Sequence, residues 1–351
     1  MQSILKLKDG SKYTGKSFGA PVSLSGEVVF ATGMVGYPEA LTDPSFRGQI
    51  LVMTYPLVGN YGIPKKEMWE SGKIQVAGLI VSSYIDTPSH HASKQTLAEW
   101  LKSEGVPALE IKDTRGLTEK LRNEGVMLGK ILAGKKDVAY DDPNKRNLSA
   151  EVSTKKIETH GTGKKTIVVI DCGEKRNMVR RLVARGVKVV VVPWDTDVTT
   201  LSFPVDAVLI SNGPGDPTKV TKTIENAKKI LAKKIPTLGI CLGNQILALA
   251  AGGSTYKLKF GHRSQNQPCV LSGTNTAYLT TQNHGFAVKK IPKGFTEWFY
   301  NANDNTNEGI IHKTLPVMSV QFHPESSPGP LDTDWIFDYF LEKAGLVKNK
   351  K

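Results

Sequence analysis

A cysteine between two glycines can be a small packing residue at a turn or a nucleophile, and its surroundings decide which. Cys241 lies in "IPTLGICLGNQILALAAGG", residues 235–253, with an apolar run before it and a helix-like run after it. In the order strand, Gly239-Ile240-Cys241-Leu242-Gly243, helix, the glycines leave room for a sharp turn that exposes the sulfur at the carboxy end of a strand. The amino terminus of the following helix would aim its partial positive charge at that sulfur and favour the thiolate. A thiolate nucleophile also needs a base and a group that orients the base. "SVQFHPES" offers His323 and Glu325, with a stiffening proline between them. His323 would take and return protons, and Glu325 would accept from its other ring nitrogen and set the tautomer. Acyl transfer further needs oxyanion donors. The backbone N–H of Leu242 is one. The loop "SNGPGDP" supplies a second, because Gly213 and Gly215 can turn an N–H inward with no side chain in the way. Each motif alone is short, and its plain reading is a turn, a surface histidine or a buried cysteine. Together, and in this order, they describe an acyl-transfer site.

Such a site requires elements that bring distant segments to one edge. From residue 165 on, "TIVVID", "VKVVVVPW", "VDAVLIS" and "IPTLGI" read as buried strands. They alternate with the helix-like "EKRNMVRRLVARG" and "VTKTIENAKKILAKK", which argues for a mostly parallel central sheet with flanking helices. The later runs "QPCVL", "TAYLTTQN", "FAVKKI" and "LPVMSVQF" are β-prone, and "DTDWIFDYFLEKAG" closes the chain as a helix. Residues 1–150 read as a separate, mixed β/α domain. In it "SKQTLAEWLKSEG" is a helix with Ser93 as its cap and Gly105 as its end, and "LTEKLRNEG" is a shorter one. The polar, turn-rich residues 151–164 read as a linker to the second domain, 165–351. The fold class is therefore α/β, in two domains.

The composition narrows the function classes. Of 351 residues, 39% are hydrophobic and 23% charged, enough for two ordinary cores. No run approaches the length of a membrane span, and the first residues, "MQSILKLKDG", lack the apolar stretch of a signal peptide. A cytoplasmic location is expected, with no membrane partner. Cys172, Cys241 and Cys269 are widely spaced and form neither a CxxC metal pair nor an even disulfide framework. No metal site is expected. Cys172 and Cys269 lie in or beside apolar runs and read as core. The net charge of +13 is spread in small clusters, including the tail "VKNKK", with no interleaved stacking aromatics, so no nucleic-acid partner is expected.

The motifs "SNGPGDP", "GICLGNQ" and "VQFHPE" make the chain similar to class I glutamine amidotransferases. The likeness extends further. "GEVVFATGMVGYPEALTDPSFRGQILVMTYPLVGNYG" and "DTRGLTEKLRNEGVMLG" resemble the amino-terminal domain of carbamoyl phosphate synthetase small subunits, and "NLSAEVSTK", "VVIDCGEKRNMVRRLVARG", "FGHRSQNQP", "TQNHGFAV" and "FHPESSPGPLDT" continue the match. The resemblance covers essentially the whole chain. It implies that Cys241 attacks the side-chain amide of L-glutamine, giving a γ-glutamyl thioester and ammonia, with His323 as acid/base and Glu325 as its orienter. It implies an oxyanion hole at Gly215 and Leu242, and glutamine held by Ser45, Gly213, Gly215, Leu242, Gln245, Asn283, Gly285 and Phe286. It implies a large-subunit partner that uses ATP and Mg2+ to make carbamoyl phosphate from bicarbonate, in a higher oligomer of heterodimers, for arginine and pyrimidine biosynthesis. No cofactor falls to this chain, consistent with the absence of a G-x-x-x-x-G-K-[ST] phosphate loop. Asn244 stands where the elbow often carries histidine, and Ser264 replaces a common glycine. His284 and His262 are expected to be structural, with His262 otherwise at an interdomain surface. A free-standing γ-glutamyl hydrolase would not need the first domain, and a basic binding protein would leave the triad unexplained.

Overall fold

A computed structural model describes residues 2–134 and 137–347; of the basic tail only Val347 is among them. The chain divides into two units, Met1–Lys145 and Arg146–Lys351.

The first unit is built on a closed seven-stranded barrel in the order β1-β2-β6-β5-β4-β3-β7. Its strands are β1 (Gln2–Leu7), β2 (Lys12–Ser17), β3 (Leu24–Ala31), β4 (Gln49–Met53), β5 (Gly78–Val81), β6 (Ala108–Glu110) and β7 (Met127–Ala133). Its helices are α1 (Tyr37–Thr42), α2 (Leu97–Ser103) and α3 (Thr114–Glu124). Pairs β3–β4, β4–β5 and β5–β6 are parallel, and the remaining pairs are antiparallel. Alternation along the strands sorts side chains into two cores. Val28, Ile50, Val52 and Ile80 pack with Leu117 and Leu121 of α3, whereas Val29, Leu51, Leu79 and Val81 pack with Trp100 of α2. Barrel closure was not legible in the sequence, because no local pattern marks the pairing of β1 with β7.

The cap of α2 differs from expectation. Thr96, not Ser93, accepts from the Glu99 N–H, and the Glu99 carboxylate accepts from the Thr96 N–H. This reciprocal capping box satisfies two otherwise orphaned donors, which Ser93, three residues too early, cannot do.

The second unit holds a ten-stranded sheet in the order β14-β13-β15-β16-β17-β12-β11-β9-β10-β8. The strands are β8 (Glu158–His160), β9 (Thr166–Asp171), β10 (Lys188–Pro193), β11 (Ala207–Ile210), β12 (Thr237–Ile240), β13 (Ser254–Leu271), β14 (Ala277–Lys290), β15 (Phe295–Asn301), β16 (Asn307–His312) and β17 (Val317–Val320). The helices are α4 (Ser149–Val152), α5 (Arg176–Ala184), α6 (Thr221–Ala232), α7 (Leu242–Ala250) and α8 (Trp335–Lys343). From β17 through β12, β11 and β9 to β10 the pairing is parallel, as expected. Both faces are covered. Ile167, Val169, Leu209 and Leu238 pack with α5 and α8, while Val168, Ile170, Val208 and Ile210 pack with α6 and α7.

Residues 151–164 are not a free linker. The Thr154 N–H donates to Asp171 Oδ2 at 2.6 Å, the Trp194 N–H donates to Ser153 Oγ at 3.0 Å, and β8 pairs antiparallel with β10. The contact boundary falls between Lys145 and Arg146, ahead of the expected 150. Polar composition misled here because β8 is a short edge strand with an exposed, charged face.

Candidate active site

The carboxy ends of β9, β11, β12 and β17 open on one edge of the sheet, the usual place for a ligand in an open α/β fold. Cys241 lies between β12 and α7 as the residue that caps the helix, with φ 55° and ψ −103°. A side chain in that conformation costs of order 1–3 kcal/mol and persists only where the surroundings impose it. Here the Cys241 N–H is tied to Val320 O of β17 at 2.8 Å. Gly243 is required by contact: a Cβ there would lie 2.1 Å from Ile210 O. The helix can therefore approach β11 only with glycine at this point. The sulfur is almost wholly buried and faces Asn283 O at 3.7 Å.

His323 follows β17, and its N–H is anchored on Thr281 O at 2.9 Å. Its Nδ1 meets Glu325 Oε1 at 2.6 Å, with both side chains buried. Nε2 is buried and makes no hydrogen bond among the described residues. Burial works against the imidazolium, but Glu325 and then Cys241 outweigh it and push His323 up to about 10. Burial likewise opposes the Glu325 carboxylate, but Lys175 and His323 hold it at about 2. Lys175 is the site residue that sequence reasoning missed. It is buried, its Nζ lies 3.1 Å from Glu325 Oε1, and it also donates to Ser326 O. The available signal was a lysine just beyond the carboxy end of β9, on the same edge as Cys241.

The other expected residues fall as follows. The loop after β11 carries Gly213 and Gly215. A Cβ on Gly213 would lie 2.8 Å from Leu242 Cδ2, and Gly215 has φ +84° with Leu148 against it. Gln245 on α7 donates to Phe286 O at 2.8 Å and to Gln321 Oε1 at 3.1 Å, so α7 is linked to the β14 segment Asn283–Gly285–Phe286. Thus Cys241, Leu242, Gln245, Gly213, Gly215, Asn283, Gly285, Phe286, His323 and Glu325 all belong to the second unit. Ser45 belongs to the first, in a 3-10 turn where its N–H donates to Asp43 Oδ1 at 2.9 Å. Asn244 is fully buried and satisfied, donating to Gln321 Oε1 at 3.2 Å and accepting from Ser319 Oγ at 2.8 Å. Cys172 and Cys269 are buried free thiols, both pushed up by burial.

A sulfur on a strained elbow, beside an imidazole fixed by a buried carboxylate, is an arrangement for nucleophilic attack on a carbonyl carbon with proton return to the leaving group. Comparison with known proteins shows the family of the chain. The glutamine amidotransferase class-I profile matches residues 168–343, and the carbamoyl-phosphate synthase small chain, CPSase domain profile matches residues 5–131. The carbamoyl phosphate synthase arginine-specific small chain of Neurospora crassa is 44% identical, covering 99% of this chain and 81% of that one. The multifunctional protein CAD of Squalus acanthias is 51% identical over 98% of this chain and 16% of its own length. The Homo sapiens mitochondrial carbamoyl-phosphate synthase [ammonia] is 46% identical over 98% of this chain and 24% of its own. The chain spans about a sixth to a fifth of the multifunctional relatives it matches. It belongs to the carbamoyl-phosphate synthase small-chain family, with a class-I glutamine amidotransferase domain. No helix among the described residues is long and apolar enough to cross a membrane.

Proposed function

We propose that this chain is the glutaminase component of a glutamine-dependent carbamoyl phosphate synthetase. The observation that carries the reading is the buried His323–Glu325 pair at the same sheet edge as the Cys241 elbow. The Cys241 thiol gives its proton to His323 Nε2, and its sulfur attacks the glutamine side-chain carbonyl carbon. The oxygen takes the negative charge toward the N–H groups of Leu242 and Gly215, each such donor contributing about 3–4 kcal/mol. His323 gives its Nε2 proton to the departing nitrogen, ammonia leaves, and the γ-glutamyl thioester remains. Water then attacks the thioester as His323 takes a proton, and glutamate leaves with the sulfur regenerated. Lys175 keeps Glu325 charged, so the imidazole stays oriented. Ser45, Gly213, Gln245, Asn283, Gly285 and Phe286 hold the substrate.

Ammonia passes to a large synthetase subunit that consumes two ATP with Mg2+ and bicarbonate. The pair works as a heterodimer within a higher oligomer, in the cytoplasm, and serves arginine and pyrimidine synthesis. The test is glutamine hydrolysis by the chain alone and after adding a large subunit with ATP and bicarbonate. Glutamine-dependent carbamoyl phosphate formation is expected. Hydrolysis at full rate without any partner, and no transfer of nitrogen with one, would favour a free-standing hydrolase.

A further inference from the structure

His262 of β13 and His284 of β14 face each other across the strand pair, with Glu308 of β16 beneath them, and all three are buried. Their inward atoms lie within 4.8 Å of one another. His262 Nδ1 is 3.3 Å and His284 Nε2 is 3.8 Å from Glu308 Oε1. Gln282 Oε1 is 2.9 Å from that Nδ1 and 3.1 Å from that Nε2. A tetrahedral ion with bonds of about 2.0–2.1 Å spaces its ligand atoms at about 3.3–3.5 Å, close to these four separations.

The outward atoms have the partners that metal-bound imidazoles need. His284 Nδ1 meets Phe286 O at 2.9 Å, and His262 Nε2 meets Asp304 Oδ2 at 2.9 Å. A backbone carbonyl and a carboxylate are the usual groups that fix the tautomer of a ligating histidine. With an ion bound, they would hold the protons on the outward nitrogens and turn the lone pairs inward. The Gln282 amide is oriented too, because its Nε2 faces Glu308 Oε2 at 3.0 Å and Thr280 Oγ1 at 3.1 Å. The Gln282 oxygen, Glu308 Oε1, His262 Nδ1 and His284 Nε2 thus converge on one point.

We infer that His262, His284, Glu308 and the Gln282 side-chain oxygen form a structural binding site for a divalent transition-metal ion, zinc by its donor set. Two imidazoles, a carboxylate and an amide oxygen suit zinc better than magnesium or calcium, which take oxygen shells. The charges of Glu308 and Asp304 balance the two of the ion. The ion pins β13, β14 and β16 behind the segment Asn283–Phe286, and it has no part in the bond-making steps above. The sequence reading expected no metal, because these ligands are spread over 47 residues in no recognised spacing.

The test uses the full chain, stripped with a chelator, reloaded with zinc and dialysed, with zinc measured by plasma mass spectrometry. About one equivalent should remain on the wild type and on Cys241→Ala, and it should be lost in Glu308→Gln and His284→Gln. Cobalt loading gives an independent readout on the wild type alone. Tetrahedral visible bands without a thiolate charge-transfer band are expected, since no cysteine is in the set. Three results would overturn the site: no retained zinc on the wild type, zinc lost in Cys241→Ala but kept in Glu308→Gln, or a cobalt–thiolate band. The first would mean that hydrogen bonds alone hold the cluster together.

Discussion

At the scale of single residues, the chemistry proposed for Cys241, His323 and Glu325 is tied to their geometry. Cys241→Ala should abolish glutamine-dependent synthesis in the complex while leaving synthesis from ammonia, since only amide cleavage uses the sulfur. Substantial glutaminase activity in that variant would reject the assignment. His323→Asn should be almost as damaging, because groups acting as a unit are not additive. Lys175→Met should lower kcat with a smaller change in KM if the lysine acts through Glu325. A pure KM effect would instead place it on the substrate. The pair also has a pH signature. The Glu325 pKa is depressed, so its contribution to stability is present above the ordinary carboxylate range and is lost as pH falls toward 2. The His323 pKa is raised, so its contribution is present below about 6.5 and is lost as pH rises toward 10. The stability difference between wild type and Glu325→Gln, measured by urea unfolding, should therefore shrink on acidification below about pH 4.5. A difference that stayed constant down to pH 2.5 would contradict a paired carboxylate. The Cys241 turn and the His323–Glu325 pair were legible in the sequence because each sits in a short motif. Lys175 was not, since its role depends on a neighbour 150 positions away.

At the scale of elements, the elbow depends on glycine. The Cβ of Gly243→Ala would meet the Ile210 carbonyl, a backbone atom that cannot rotate away. The expected cost is about 1–3 kcal/mol, together with loss of activity as α7 and Cys241 are displaced from β11. Chemical denaturation and the glutaminase assay on one preparation check both; a variant of unchanged stability would mean that α7 shifts freely. Cys241→Gly tests the strain itself. It is inactive, yet it should be at least as stable as Cys241→Ala, because glycine tolerates φ 55°. If alanine were the more stable, the turn would not be strained at this residue. The strand–turn–helix order was readable because buried strands and amphipathic helices have different periods. The cap of α2 and the edge strand β8 were misread because several polar residues compete locally, and only the tertiary partner selects among them.

At the scale of the whole molecule, each unit has its own cores, so each is expected to fold alone. The two-domain plan was legible as a change from irregular β-prone runs to strand–helix alternation. The boundary was not, because residues 151–164 look like a linker while making specific bonds to the second unit. This gives a comparison between two fragments. One beginning at Arg146 keeps Leu148 against Gly215, the Thr154–Asp171 bond and the β8–β10 pair. One beginning at Lys164 loses all three. The shorter fragment should show a lower urea midpoint, and an extra loss of activity, since Leu148 braces the loop of the proposed oxyanion donor. If Ser45 and the barrel serve glutamine use as proposed, both should take up glutamine poorly and fail to couple to a large subunit. Unfolding curves, with glutamine kcat/KM for each fragment and the full chain with and without the large subunit, measure these effects separately. Equal midpoints would show that residues 146–163 are dispensable for the fold. If either fragment alone matched the full complex, the barrel unit would have no part in glutamine use, and the synthetase reading would lose the feature that sets this chain apart from other amidotransferases.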